Sequence, residues 1–245
     1  MGILNITPDS FHDGGRYFDA DRAVWQARFL ADEGADIIDI GAASSRPGYT
    51  PVSAEEELSR LLPVLKALER EDLPLLSVDT DKVDVAEAAV EHGVAIINDT
   101  SSDLESGCFE LAAGKGLPLI VMHREAGVEG RDIVSEVEDF FKASLVKATE
   151  AGLPEELLIL DPGLGFNKSI DENNALIDAI PLFKRLGRPL LIGYSHKRFA
   201  AAIAGERPGM APIGNAILAE KVSQLGADII RVHEVRAFLE SVRYG

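Results

Sequence analysis

Nine polar residues stand at or near the ends of short apolar runs: Asn5, Asp39, Asp79, Asn98, His123, Asp161, Ser195 and the pair Arg231 and His233. An Asn side chain offers a donor and an acceptor together, a carboxylate accepts from paired N–H groups, and a guanidinium makes planar contacts to phosphate. These residues are scattered along the chain, so they act together only if one fold gathers the run ends. Helix caps account for some of the Asp and Asn residues. They do not account for Arg231 and His233, which lie within the last run rather than after it. Two long loops, Thr7–Arg16 after the first run and Ala42–Pro51 after the second, mix Gly and Pro with Ser, Thr, Asp and Arg. Loops of that length and polarity are expected to act as lids.

The elements that would position these residues repeat along the chain. A helical stretch ends in Gly, a small linker follows, and then comes a run of Ile, Leu and Val. The phrase recurs at Gly34, Gly93, Gly116, Gly152, Gly187 and Gly226, and two further runs, Ile3–Asn5 and Leu75–Asp79, complete a set of eight. Glycine fits the left-handed position that closes a helix. The runs are nearly continuous in apolar residues, as parallel strands covered on both faces require. Helical periodicity falls between them, over 19–34, 82–92, 104–114, 136–151, 171–186, 212–226 and 235–244. One more helix is opened by Ser53 and Glu56, which are spaced as a capping box. Eight strand–helix alternations in 245 residues predict a single (β/α)8 TIM barrel, a fold of about 250 residues whose active sites lie at the C-terminal strand ends.

The chain is 46% hydrophobic, enough for a sizeable core, and its formal charge of −17 disfavours nucleic acid and anionic lipid as partners. Cys108 is the only cysteine, which excludes an internal disulfide and a cysteine-based zinc cluster. No apolar run approaches the roughly 20 residues of a membrane span, and a soluble cytoplasmic domain is expected.

The segment Gly2-Ile-Leu-Asn-Ile-Thr-Pro-Asp-Ser-Phe11 with Asp13-Gly-Gly15 resembles the first signature of the dihydropteroate synthases, a pterin-binding TIM-barrel family. Similar matches follow in order at Asp39-Ile-Gly, Ser44-Ser-Arg-Pro-Gly48, Ser77-Val-Asp-Thr80, Ile97-Asn-Asp99 and Met122-His123. The series continues at Asp161-Pro-Gly-Leu-Gly-Phe166, Ser195-His-Lys197 and Arg231-Val-His233. They span almost the whole chain, which implies one pterin-binding domain over residues 1–245. The resemblance implies a transferase that joins 6-hydroxymethyl-7,8-dihydropterin pyrophosphate to p-aminobenzoate, yielding 7,8-dihydropteroate and pyrophosphate. It assigns Asp79, Asn98, Met122, Asp161 and Lys197 to the pterin, and Asn5, Arg46, Arg231 and His233 to the pyrophosphate. Phe11, Ser45, Pro47, Phe166 and Ser195 fall around p-aminobenzoate, with Lys197 bridging the two substrates. Asn5 matches a ligand for Mg2+, the implied cofactor, and Lys197, Arg231, Arg46 and Asp79 carry the chemistry. Relatives are commonly homodimers through their later helices and are sulfonamide targets, and both properties are expected here.

This chain departs from the pattern at several places. His196 and Arg198 replace the usual Arg and Ser, Ser45 replaces Thr, Thr100-Ser-Ser102 replaces a Gly-containing segment, and Arg124-Glu125 follow His123 where an apolar residue is usual. Two alternatives share the pterin carboxylates: a methyltetrahydrofolate-type methyltransferase and a non-catalytic pterin-binding paralogue. Arg46, Lys197, Arg231 and the Gly-rich loops favour the synthase over the former.

Overall fold

The computed structural model describes residues 1–6, 16–43, 52–128, 130–195 and 211–244. Within them run β1 (Gly2–Asn5), α1 (Arg16–Asp32), β2 (Ile37–Gly41), α2 (Ala54–Leu68), β3 (Leu75–Thr80), α3 (Val83–Glu91), β4 (Ile96–Asp99), α4 (Cys108–Lys115) and β5 (Leu119–Met122). After α5 (Ile133–Ala151) come β6 (Leu158–Asp161), α6 (Ile170–Asp178), α7 (Ile180–Phe183), β7 (Leu191–Gly193), α8 (Ala211–Gln224), β8 (Ile229–Arg231) and α9 (Val235–Tyr244). Each apolar run is a strand, and the six glycines of the repeated phrase all take positive φ, between 66° and 96°.

Strands β1 to β6 pair in parallel in sequence order, and β7 pairs with β8. Two single bridges join the sets. Leu160 meets Leu190 between β6 and β7, and Gly2 meets Val232 beyond the end of β8. The backbone bonds Leu160 N–H to Pro189 C=O, Ile3 N–H to Val232 C=O and Val232 N–H to Met1 C=O, each 3.0 Å, lie at these seams. The strands therefore follow one another around the ring of a (β/α)8 barrel.

Side chains alternate across each strand, and the alternation places the polar residues. One face meets the helices in a large core that includes Ile38, Val78, Ile97, Val121, Leu160, Ile192 and Ile230. The other face points inward, where Met1, Ile96, Ile120, Ile159 and Leu191 form a separate plug with Ile37 and Ile229 against it. Counting in twos from the plug reaches Asn5, Asp39, Asn98, Met122, Asp161, Ser195, Arg231 and His233. The apolar floor and the polar rim are thus the same faces of the same strands.

Three expectations need correction. The second strand extends to Gly41, so Asp39 lies two residues inside it and is fully buried rather than terminal. The helix expected over 171–186 is broken into α6, α7 and a 3-10 turn, with Pro181 opening α7, because proline supplies no N–H to continue the ladder. Ser53 does cap Glu56 N–H of α2, but only half of the predicted box is present, since the Glu56 carboxylate is paired with Arg60. The reciprocal box sits instead at Ser169 and Glu172 of α6.

Candidate active site

Arg231 organises the barrel mouth. Its Nε donates to Asp39 Oδ2 and its Nη2 to Asp79 Oδ2, both at 2.6 Å. One guanidinium thus spans β8, β2 and β3. Asp39 Oδ2 also accepts from Asn98 Nδ2 of β4 at 3.1 Å, and Asp79 Oδ1 from the Thr100 hydroxyl at 3.3 Å. With two carboxylates on one cation the cluster is anionic, and burial pushes the Asp79 carboxyl up to about 6, opposed by Arg231 and reinforced by Asp39. The same two carboxylates hold Arg231 firmly in its charged form against its own burial.

Next to this cluster the register pairs Asp79 with Asn98 and Met122 with Asp161, so the residues matched to the pterin line four successive strands. Asn98, Met122 and Asp161 are all buried, and Asn98 Oδ1 has no partner among the described residues. A buried amide oxygen of that kind is costly unless a ligand N–H reaches it. Asp161 Oδ1 accepts the Gly163 N–H at 2.7 Å, which turns the chain tightly at the mouth. Gly163 has φ +64°, and a Cβ there would stand 2.0 Å from the His123 carbonyl oxygen. Gly163→Ala is therefore expected to destabilise by about 3 kcal/mol, the upper end of overpacking costs. Chemical denaturation showing a loss under about 1 kcal/mol would contradict this.

On the opposite side, Ser195 and His233 meet between β7 and β8. The Ser195 hydroxyl lies 3.1 Å from His233 Nδ1 and accepts the His233 N–H at 3.3 Å. Asn5 ends β1 paired with Gly41, and the Asp79 side chain packs beside that glycine, 3.6 Å from where a Cβ would stand. Phe166 lies half-buried in the loop after β6. Arg46, Lys197, Phe11, Ser45 and Pro47, with the departures His196 and Arg198, lie outside the described residues.

Two residues of this region were given no role from sequence. Asp39 stood out as a run end and within the Asp39-Ile-Gly match, yet neither gave it a task; it is the shared acceptor for Arg231 and Asn98. Lys168, after the Gly-rich turn, carries no motif signal of its own. Its Nζ donates to the carbonyls of His123 at 2.9 Å, Gly163 at 3.1 Å and Phe166 at 3.2 Å. Burial pushes this ammonium down to about 8, with Asp161 the largest opposing charge. Burial, aided by the Lys168 charge, holds His123 down at about 4, so its ring is neutral near pH 7.

The arrangement has an apolar floor, carboxylate and amide groups on β3 to β6, and cationic or hydroxyl groups on β7 and β8. It can hold a flat ring by its polar edge and an anion beside it. The pterin binding enzyme family model matches residues 1–233. The Escherichia coli dihydropteroate synthase is 38% identical over 250 residues, covering 99% of this chain and 89% of that protein. A probable bifunctional folylpolyglutamate synthase/dihydropteroate synthase of Haloferax volcanii is 44% identical over 246 residues; the match covers 96% of this chain but only 29% of that longer protein. The crystal structure of the Clostridium difficile dihydropteroate synthase in the presence of pteroic acid superposes with a TM-score of 0.93 at 37% identity, covering 99% of this chain and 93% of that one. The chain belongs to the pterin binding enzyme family, and within it stands with the dihydropteroate synthases.

Proposed function

We propose that this chain is a transferase of folate biosynthesis that condenses 6-hydroxymethyl-7,8-dihydropterin pyrophosphate with p-aminobenzoate. The observation that carries the reading is the run of Asp79, Asn98, Met122 and Asp161 on four adjacent strands, with one amide oxygen that has no partner among the described residues. Asp161 accepts the paired N–H donors of the pterin edge, Asn98 and Asp79 complete that edge, and Met122 packs on the ring. Arg231 and His233, with Arg46, face the pyrophosphate as negative charge develops on the departing oxygen. Phe11, Ser45, Pro47, Phe166 and Ser195 surround p-aminobenzoate, and Lys197 bridges the substrates. The aryl amine attacks an electron-poor carbon from which pyrophosphate is leaving, so no strong base is needed. The loops after β1 and β2 exclude water from that centre.

A magnesium ion fits this donor set. Among the described residues no three His, Cys, Asp or Glu side chains converge, and Asn5 supplies a neutral amide oxygen at the rim. Mg2+ takes few protein ligands and shares phosphate oxygens. Held by Asn5 and the substrate, it would neutralise pyrophosphate charge.

Residues 1–245 act as one domain in this reading, in the cytoplasm and as a homodimer. No helix among the described residues is long and apolar enough to cross a membrane. Ile213 and Ile217 of α8, with Leu239 and Val242 of α9, present apolar side chains on two packed late helices, which supports pairing there.

Purified protein supplied with the pterin pyrophosphate, p-aminobenzoate and Mg2+ is expected to release pyrophosphate and form dihydropteroate in equal amounts. No release eliminates the reading, and release without dihydropteroate marks a hydrolase. A sulfonamide is expected to compete with p-aminobenzoate and not with the pterin.

A further inference from the structure

Among the described residues only two non-glycine residues take positive φ, Ser102 at 65° and Asn167 at 48°. They lie in different loops, after β4 and after β6, yet both reach the backbone of the same residue, Arg124, one at its N–H and the other at its carbonyl. The Ser102 hydroxyl accepts the Arg124 N–H at 3.1 Å, and Asn167 Nδ2 donates to the Arg124 carbonyl at 3.3 Å. Backbone strain of this kind persists only where surrounding structure over-determines it.

The clasped segment lies directly after β5, and its neighbours bear on the pterin carboxylates from both sides. His123 donates its N–H to the Asp161 carbonyl at 3.0 Å. Lys168 gathers the His123, Gly163 and Phe166 carbonyls, and the Gly163 N–H in turn holds Asp161 Oδ1 at 2.7 Å. Toward β3, Arg124 Nη1 lies 3.4 Å from the Thr100 carbonyl and 3.5 Å from Asp81, and the Thr100 hydroxyl donates to Asp79. In the reading above, only the Asp79 and Asp161 side chains of this set meet the pterin and that of Phe166 meets p-aminobenzoate; the others touch no substrate.

We propose that Ser102, Asn167 and Lys168 are positioning residues that clamp the His123–Arg124 segment and so fix Asp161, and through Thr100 Asp79, in register for the pterin ring. The loops after β4, β5 and β6 form one preorganised wall, and its rigidity sets pterin affinity. This rests on the reading of β3 to β6 as the pterin site.

The decisive variant is Ser102→Gly with Asn167→Gly, which removes both clasping side chains while letting each backbone keep its positive φ at no strain. It is expected to melt no lower than the parent, to lose hydrogen-exchange protection at the Arg124 amide, and to raise KM for the dihydropterin pyrophosphate about fivefold. Lys168→Met should raise the same KM further, and Lys168→Arg should recover part of it by donating to the same carbonyls. A parent protein that binds no dihydropterin pyrophosphate overturns the site reading, and this proposal with it. A parent that binds it, with a double-glycine variant of equal pterin KM, overturns the proposal alone. A variant that melts lower with pterin KM unchanged assigns the clasp to stability only and also overturns it.

Discussion

Arg231→Met is expected to cost about 3–5 kcal/mol of folding stability at pH 7, the penalty for leaving buried charge unpaired. The methionine matches the length of the apolar stem, so the loss isolates the guanidinium. In the parent, Arg231 sits 2.6 Å from both Asp39 and Asp79, and Asp39 is fully buried. Without the cation the two carboxylates face each other. Asp79 is already pushed up to about 6, above the ordinary carboxylate value, so the native state binds that proton more tightly than the unfolded chain. Stability from this group therefore falls as pH rises from about 4 to about 6, and its penalty is fully present above that window. Removing Arg231 pushes Asp79 up further, so the variant's deficit should shrink at pH 5, where the carboxyl carries a proton. Adding Asp79→Asn to Arg231→Met should recover part of the loss at pH 7. Denaturant titrations at the two pH values measure all three effects; a deficit under about 1 kcal/mol at pH 7 would show that the two carboxylates do not depend on this cation. Turnover should also fall by about a hundredfold or more, the usual consequence of removing a charged donor from a developing anion.

Asp161→Asn should weaken pterin binding by on the order of a hundredfold with little change in stability. The asymmetry has a structural reason. An Asn oxygen can still accept the Gly163 N–H, so the turn after β6 survives. What is lost is the charged acceptor for two parallel donors, with an amide N–H group opposing one of them. Calorimetry with the dihydropterin pyrophosphate tests the affinity, and thermal melting tests the turn. Unchanged affinity in a folded variant would remove Asp161 from the pterin edge. Together the two variants separate the cluster's tasks: Arg231 carries stability and charge compensation, Asp161 carries recognition.

Much of this site is legible in the sequence. The eight apolar runs became eight strands because a parallel strand covered on both faces must be apolar nearly throughout. Polar residues at the run ends stood out against that background, and the closing glycines marked where each helix stopped. The resemblance then named Asp79, Asn98, Met122 and Asp161, which the register brings onto adjacent strands. Ser102 and Arg124 were visible as departures from the family pattern, but nothing in their spacing showed that one holds the other.

What remained hidden has two physical causes. A continuous apolar run carries no alternation, so it does not tell which face looks inward, and Asp39 read as a strand end rather than as an acceptor inside the barrel. Lys168 has no motif because its partners are backbone carbonyls, which every residue possesses. Sequence alone determined the number and order of the elements and the polar chemistry at their ends, since local periodicity and residue type are properties of neighbours in the chain. Only the closed ring decided that Arg231 would bridge Asp39 and Asp79, because pairing between β8, β2 and β3 depends on distances that no local pattern encodes.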